Sequence, residues 1–260
     1  MRIMFVGDIC GRTGRSAFKE NILPLRREYG PFDFVIANCE NAASGFGITE
    51  KVMDELFAYG IDVMTSGNHI WDKKEFVQVI GGERRVLRPA NYPPGTPGAG
   101  YGVFENRGLR LGVINLQGRA FMPPIDCPFR ASNEILSGMG VVSIFVDFHA
   151  EATAEKAALA LYLDGRVSAI AGTHTHVQTA DESILPGGTA FITDAGMTGG
   201  HGGIIGNSYD SVIPKFLIGM PCKFEIESGN ARTQGIIVDI DDESGRALDI
   251  RRFSVAAGER

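Results

Sequence analysis

In the first half of the chain, short apolar runs alternate with stretches of helical periodicity. Arg2–Val6 and residues 32–37 and 62–65 read as strands. Residues 13–29 between them carry a helical pattern. Thr49 stands where an N-cap would, ahead of Val52, Met53, Leu56 and Phe57 on one helical face. Asp72 is placed to cap a further short helix. Strand 141–147, helix 152–163 and strand 167–171 continue the alternation. Strands apolar at consecutive positions predict a sheet covered on both faces.

Residues 88–102 are rich in Pro and Gly and read as a loop. Beyond it, residues 101–105 and 109–116 flank Asn106-Arg107-Gly108, a hairpin pattern. Further strands are expected at 189–193, 222–227, 235–240 and 248–255. The whole predicts an α/β chain of two packed sheets flanked by helices. No repeat, linker or low-complexity tract divides it, so residues 1–260 are expected to form one domain.

Composition narrows the function little. With 44% hydrophobic residues the chain has ample material for a core, which excludes broad disorder. A net charge of −6 argues against sequence-independent binding of duplex nucleic acid. The four cysteines are scattered and form no Cys-x-x-Cys pair, as expected of free thiols in a reducing cytoplasm. The first apolar run is short and broken by Asp8, unlike a signal peptide, and no stretch is long enough for a membrane span. A homo-oligomer is expected on the base rate for soluble enzymes.

Position is more informative. In open α/β sheets, chemistry gathers beyond the carboxyl ends of strands. Five predicted strands end in ligand-type residues: Asp8, then Glu40-Asn41, Asn68-His69, His149, and His174-Thr-His176. Four of the five histidines fall at these ends. In an extended segment His174 and His176 would point to the same side. The donors are imidazole, carboxylate and amide oxygen without cysteine spacing. That set suits iron, manganese or zinc in an open catalytic site rather than a closed structural zinc site. There are enough donors for two metals.

These motifs, in this order, resemble those of binuclear metallophosphoesterases. The chain is most similar to the bacterial YmdB-like phosphodiesterases. The likeness extends through Gly-Asn-His-Ile-Trp-Asp-Lys-Lys, Arg-Pro-Ala-Asn, Asn-Leu-Gln-Gly-Arg, Asp-Phe-His-Ala-Glu-Ala-Thr and Thr-His-Thr-His-Val-Gln-Thr-Ala-Asp. The resemblance implies a four-layer α/β/β/α sandwich of two mixed sheets. It implies two metal ions, iron and/or manganese, with zinc an alternative. Asp8, Glu40, Asn41 and His176 would hold one, and Glu40, Asn68, His149 and His174 the other, with Glu40 bridging. The implied activity is hydrolysis of phosphodiesters, including 2′,3′-cyclic nucleotides and RNA-derived cyclic phosphates. A hydroxide between the metals would attack, and His69 would give a proton to the leaving group. Where the wider superfamily has Asp-x-His the chain reads Asp8-Ile9-Cys10, and Glu40 replaces the usual bridging Asp. Asn41 fills the gap left by the missing His. Cys10 is expected to pack as a small buried apolar residue rather than serve as a soft ligand.

Other readings remain open at this level. A phosphomonoesterase or nucleotidase would use the same donors, and so would a nucleotide-sensing regulator. A dinucleotide-binding motif is excluded, because Gly7, Gly11 and Gly14 miss the Gly-x-Gly-x-x-Gly spacing. Arg119 and His201 are candidate substrate contacts. His201 lies in a glycine-rich stretch, residues 196–203, that reads as a mobile substrate loop without the Lys-Ser/Thr ending of a phosphate-binding loop. Asp72 could orient His69, although helix capping is its expected role.

Overall fold

The computed structural model describes residues 1–258. One mixed sheet contains β1 (Arg2–Val6), β2 (Asp8–Ile9), β3 (Phe34–Asn38), β4 (Val63–Thr65), β11 (Met197–Gly200), β12 (Ala231–Ile240) and β13 (Ala247–Ala256). Its order is β2-β11-β12-β1-β3-β4, with β13 also paired to β12. The other contains β5 (Tyr101–Asn106), β6 (Leu109–Gln117), β7 (Ile144–His149), β8 (Ala169–Thr173), β9 (Ser183–Ile184) and β10 (Ala190–Ile192), ordered β5-β6-β7-β8-β10-β9. Each sheet combines parallel and antiparallel pairs.

Side-chain alternation builds three apolar layers from these two sheets. In β1 and β3, Ile3, Phe5, Phe34 and Ile36 point to the second sheet, where Leu111, Val113, Phe145, Ala169 and Ala171 meet them. The intervening Met4, Val6, Val35 and Ala37 face helices α1 (Gly11–Tyr29) and α2 (Glu50–Ala58). On the far side, Ile114, Leu116, Val146 and Phe148 pack on α4 (Pro128–Gly138) and α5 (Thr153–Leu163). Both sheets are therefore covered on both faces, and the molecule is an α/β/β/α sandwich. The second core carries residues from both sheets.

Thr49 caps α2 as expected, its side chain accepting from the Val52 amide. Asp72 is not a helix N-cap. It ends a short 3₁₀ helix, Asn68–Trp71, and α3 (Phe76–Ile80) begins after Glu75. Helices α4 and α6 (Tyr209–Ile218) were not anticipated. The glycine-rich stretch is not a loop throughout: Met197–Gly200 is a fully buried strand between β2 and β12. Its glycines permit close approach, since a Cβ on Gly200 would strike the Glu227 carbonyl. Residues 222–227 do not join a sheet; of them only Ile226 forms a bridge, to Asn207. Their alternation instead sets Phe224 against the cavity described below and Ile226 against Gly11 and Gly45. All four cysteines are free, and no helix among the described residues is long and apolar enough to cross a membrane.

Candidate metal centre

The layer between the sheets changes character toward the carboxyl ends of its strands. The same alternation that places Ile36, Val63, Val113, Phe145 and Ala171 inward continues to Asn38, Thr65, Asn115, Asp147 and Thr173. All five are fully buried. Asp147 is their hub. Its carboxylate accepts from Asn38 Nδ2 at 2.9 Å, Thr65 Oγ1 at 2.5 Å and Thr173 Oγ1 at 2.7 Å. Burial lifts the Asp147 carboxyl to about 7 despite those donors and the nearby His149 charge.

Above this layer sit the expected donors. Glu40 Oε1 lies 2.9 Å from His149 Nε2, and His149 Nε2 lies 3.0 Å from His174 Nδ1. These three residues offer atoms that all lie within 4.8 Å of one another. Asn41 Nδ2 is 3.1 Å from His176 Nε2 and 3.4 Å from Glu40 Oε1. Asp8 Oδ2 accepts from the His174 amide at 3.0 Å, and its Oδ1 is 3.9 Å from the His149 ring. Glu40 thus touches both pairs, Asn41 with His176 and His149 with His174.

The hydrogen bonds select which imidazole nitrogen faces the cluster. Thr173 donates to Asp147, so it accepts from His149 Nδ1 at 2.9 Å and leaves Nε2 toward Glu40. His176 Nδ1 meets the Ile205 carbonyl at 3.0 Å, leaving Nε2 toward Asn41. Glu151 Oε2 lies 3.2 Å from His174 Nε2, leaving Nδ1 toward His149. Sequence reasoning missed Asp147 and Glu151. The signal was available, because both flank His149 at two-residue spacing.

Charge is concentrated here. Burial would raise Glu40, yet the His149 charge and hydrogen bond hold it at about 2. Burial would likewise lower His149, but the Glu40 and Asp8 carboxylates carry it up to about 9. Burial and the neighbouring His149 push His174 down to about 3, a neutral ring. Burial raises the Cys10 thiol to about 12, so Cys10 is a protonated, buried residue, as expected.

A fit test for metal rests on unpartnered oxygens. Among the described residues, three buried side-chain atoms lack a hydrogen-bond partner: Asp8 Oδ1, Asn68 Oδ1 and Gln117 Nε2. Two of the three are expected ligand oxygens. Orphaned buried acceptors are costly, and a cation would satisfy them. The residues present therefore fit metal ions.

His174, His176 and His69 line one open cavity of about 290 Å³ with Glu40, Asn41, Phe46, Glu151 and Phe224. The paired histidines do not converge by strand alternation. Strand β8 ends at Thr173, and His174 and His176 take positive φ of 97° and 63°. A strained bend, rather than an extended segment, brings them together. His69 Nδ1 is 2.8 Å from Asp72 Oδ2, and its ring meets Phe46 edge-on at 4.9 Å. Asp72 orients His69, the role given second place above. Arg119 and His201 do not line the cavity. Arg119 Nη2 lies 3.6 Å from Cys127 Sγ, and the His201 ring is 3.1 Å from the Met197 carbonyl.

A two-sheet sandwich with this carboxylate, amide and imidazole cluster on its rim defines a metallophosphoesterase. Comparison with known proteins narrows the class. The YmdB-like protein family model matches residues 4–253, and the chain belongs to that family. It is 48% identical over 257 residues to a 2′,3′-cyclic-nucleotide 2′-phosphodiesterase of Bacillus subtilis, covering 98% of this chain and 97% of that one. A crystal structure of a phosphatase from Mycoplasma pneumoniae superposes with a TM-score of 0.94 at 33% identity, covering 98% of this chain and 93% of that one. A calcineurin-like phosphoesterase from Bacillus subtilis shares the fold, with a TM-score of 0.62 at 13% identity over 100% of this chain and 91% of that one.

Proposed function

We propose that the protein is a metal-dependent phosphodiesterase whose substrates include 2′,3′-cyclic nucleotides. The observation that carries this reading is the pair of unpartnered buried oxygens, Asp8 Oδ1, 3.9 Å from the His149 ring, and Asn68 Oδ1, next in sequence to His69, whose amide donates to Glu40 Oε2. The activity of the Bacillus subtilis relative supports the choice of substrate. Asp8, Glu40, Asn41 and His176 would hold one metal ion; Glu40, Asn68, His149 and His174 would hold a second. Iron and manganese suit these donors. The bound ions would supply an acidified water as nucleophile and neutralise the phosphoryl charge.

The chain's own residues do the rest. Only two of the seven ligands are carboxylates, so two divalent ions leave a positive surplus for a phosphodiester anion. Asp147, through Thr173, and Glu151 hold two imidazoles in the orientation that presents a lone pair. His69 lies on the cavity wall outside the ligand set. With Nδ1 held by Asp72, its Nε2 is the atom that passes a proton to the departing oxygen.

The test is hydrolysis of a 2′,3′-cyclic nucleotide by protein reconstituted with manganese or iron, against a chelated control and the matching monophosphate. Metal-dependent opening of the cyclic diester is expected. Turnover of the monophosphate alone would replace this reading with a monoesterase, and nucleotide binding without turnover would make the protein a sensor.

A further inference from the structure

Lys156 of α5 is fully buried, and its Nζ lies 2.8 Å from Asp194 Oδ2, also buried. Nothing in the proposed chemistry uses this pair. A buried ion pair is weak evidence for stability, because desolvating two charges offsets their attraction and an apolar pair often serves the fold as well. Its purpose is better sought in what else it touches.

The same Asp194 oxygen accepts from Thr175 twice, from Oγ1 at 2.7 Å and from the backbone amide at 3.2 Å. Thr175 is the residue between His174 and His176. Asp194 also grips the far end of this segment: its carbonyl accepts from the Thr179 amide at 3.1 Å, and its own amide donates to Thr179 Oγ1 at 2.9 Å. Its second carboxylate oxygen takes the Gly196 amide at 2.8 Å. The lysine reaches this point because β8 carries Gly172 there. A Cβ on Gly172 would overlap the Lys156 stem and the Thr193 carbonyl. The two histidines hold left-handed backbone, a conformation that persists only where the surroundings over-determine it. The hydrogen bonds to Thr175 supply that constraint.

We propose that the Lys156–Asp194 pair positions the metal ligands, with Asp194 clamping Thr175 so that His174 and His176 are presented together. The lysine pairs with the Asp194 carboxylate in the interior, and the carboxylate fixes the bend. Both are positioning residues; neither touches substrate. The inference rests on the metal-centre reading above.

The experiment measures the affinity of the purified full chain for Mn²⁺ alone, by competition with a chromophoric chelator, beside thermal melts without metal. The variants are Thr175→Val, Thr175→Ser and the double variant Lys156→Met/Asp194→Leu. The double variant replaces the charges by an apolar pair but also leaves the Thr175 and Gly196 donors without their acceptor, so it is expected to melt below the unsubstituted protein and to bind Mn²⁺ about tenfold or more weakly, the affinity being the readout that decides. Thr175→Val leaves the ion pair in place and is expected to show the same loss without a change of fold, while Thr175→Ser keeps the hydroxyl and the affinity. A pair that serves only the fold would move the melting temperature and not the affinity. Thr175→Val binding Mn²⁺ as tightly as the unsubstituted protein overturns the proposal and leaves the metal centre standing. An unsubstituted protein that binds no Mn²⁺ overturns both.

Discussion

Replacing Thr173 by Val tests whether the polar layer beneath the site governs metal affinity. The two side chains have nearly the same shape, so no cavity opens. What is lost is one hydroxyl, fully buried, that donates to Asp147 Oδ1 at 2.7 Å and accepts from His149 Nδ1 at 2.9 Å. A hydrogen bond to a charged group contributes about 1.5–3 kcal/mol, and a buried donor left unsatisfied costs about 1–3 kcal/mol. The two losses share one oxygen and do not add fully, so the net destabilisation is about 2–4 kcal/mol. For a chain of this size that lowers the melting temperature by roughly 5–15 °C. Freed from Thr173, the His149 ring no longer presents Nε2 uniquely, and metal affinity falls about 10–100-fold. Melts of metal-free and Mn²⁺-loaded protein separate the two effects, because bound metal adds stability in proportion to the logarithm of its affinity. The metal-induced rise in melting temperature should shrink in the variant as well as the metal-free value. An unchanged metal-induced rise would refute the argument that Thr173 sets the His149 tautomer.

His69→Ala should keep its metal and lose about 10²–10⁴-fold in turnover of a cyclic diester, as for removal of a general acid; normal turnover would remove His69 from the reaction. Gly67→Ala should fail to load metal. A Cβ there would overlap the His149 imidazole, so the effect is steric. Metal analysis of the folded variant decides it, and full loading would show that the ring can move. Metal uptake should release protons near neutral pH. In the metal-free chain the Glu40 and Asp8 charges outweigh burial and keep a proton on His149 up to about 9, so a cation must displace it. Affinity for Mn²⁺ should therefore rise with pH toward about 9 and level off beyond. In metal-free protein the raised His149 value contributes stability that is full below its ordinary value near 6.5 and lost as pH climbs through about 9. Calorimetric titration in buffers of different ionisation enthalpy reads the proton count, and a count of zero near neutrality would sink the charge assignment.

The proposed ligands were legible because each stands near the end of a strand, and the rule for α/β sheets says what happens there. Their supports were not. Lys156 lies in a helix whose charged positions are expected to face solvent, and Asp194 is 38 residues away, so nothing local marks either as buried. His174 and His176 do line one cavity, but a bend rather than strand alternation brings them there. A His-x-His spacing looks alike in a strand and in a bend, and the strand ends one residue before His174. Residues 222–227 show the converse limit. Their alternation is real, but period-two burial requires only a surface to lie on, and here that surface is the cavity mouth rather than a neighbouring strand. Helix α6 went unseen, and its Phe216, Leu217 and Ile218 stay exposed, blurring the amphipathic contrast by which a helix is usually read.

The division between stability and chemistry in this fold follows from one alternation. On β3, β6, β7 and β8, the face turned toward the opposite sheet is apolar over most of its length and polar only at its last inward positions. Ile36 is followed by Asn38, Val113 by Asn115, Phe145 by Asp147 and Ala171 by Thr173. The apolar part joins the two sheets, and the polar part makes the floor on which the ligands stand. Both parts share the same strands, so the floor inherits the rigidity of the core without an element of its own. That arrangement explains why Asp147, which no ligand need touch, gathers three donors from three different strands. It ties Asn38 of β3, Thr65 of β4 and Thr173 of β8 into one unit, and through Thr173 it reaches His149. Two sheets that shifted relative to one another would break this unit before they separated the apolar layer. The proposed metal centre would therefore be a sensitive reporter of how the two sheets are docked.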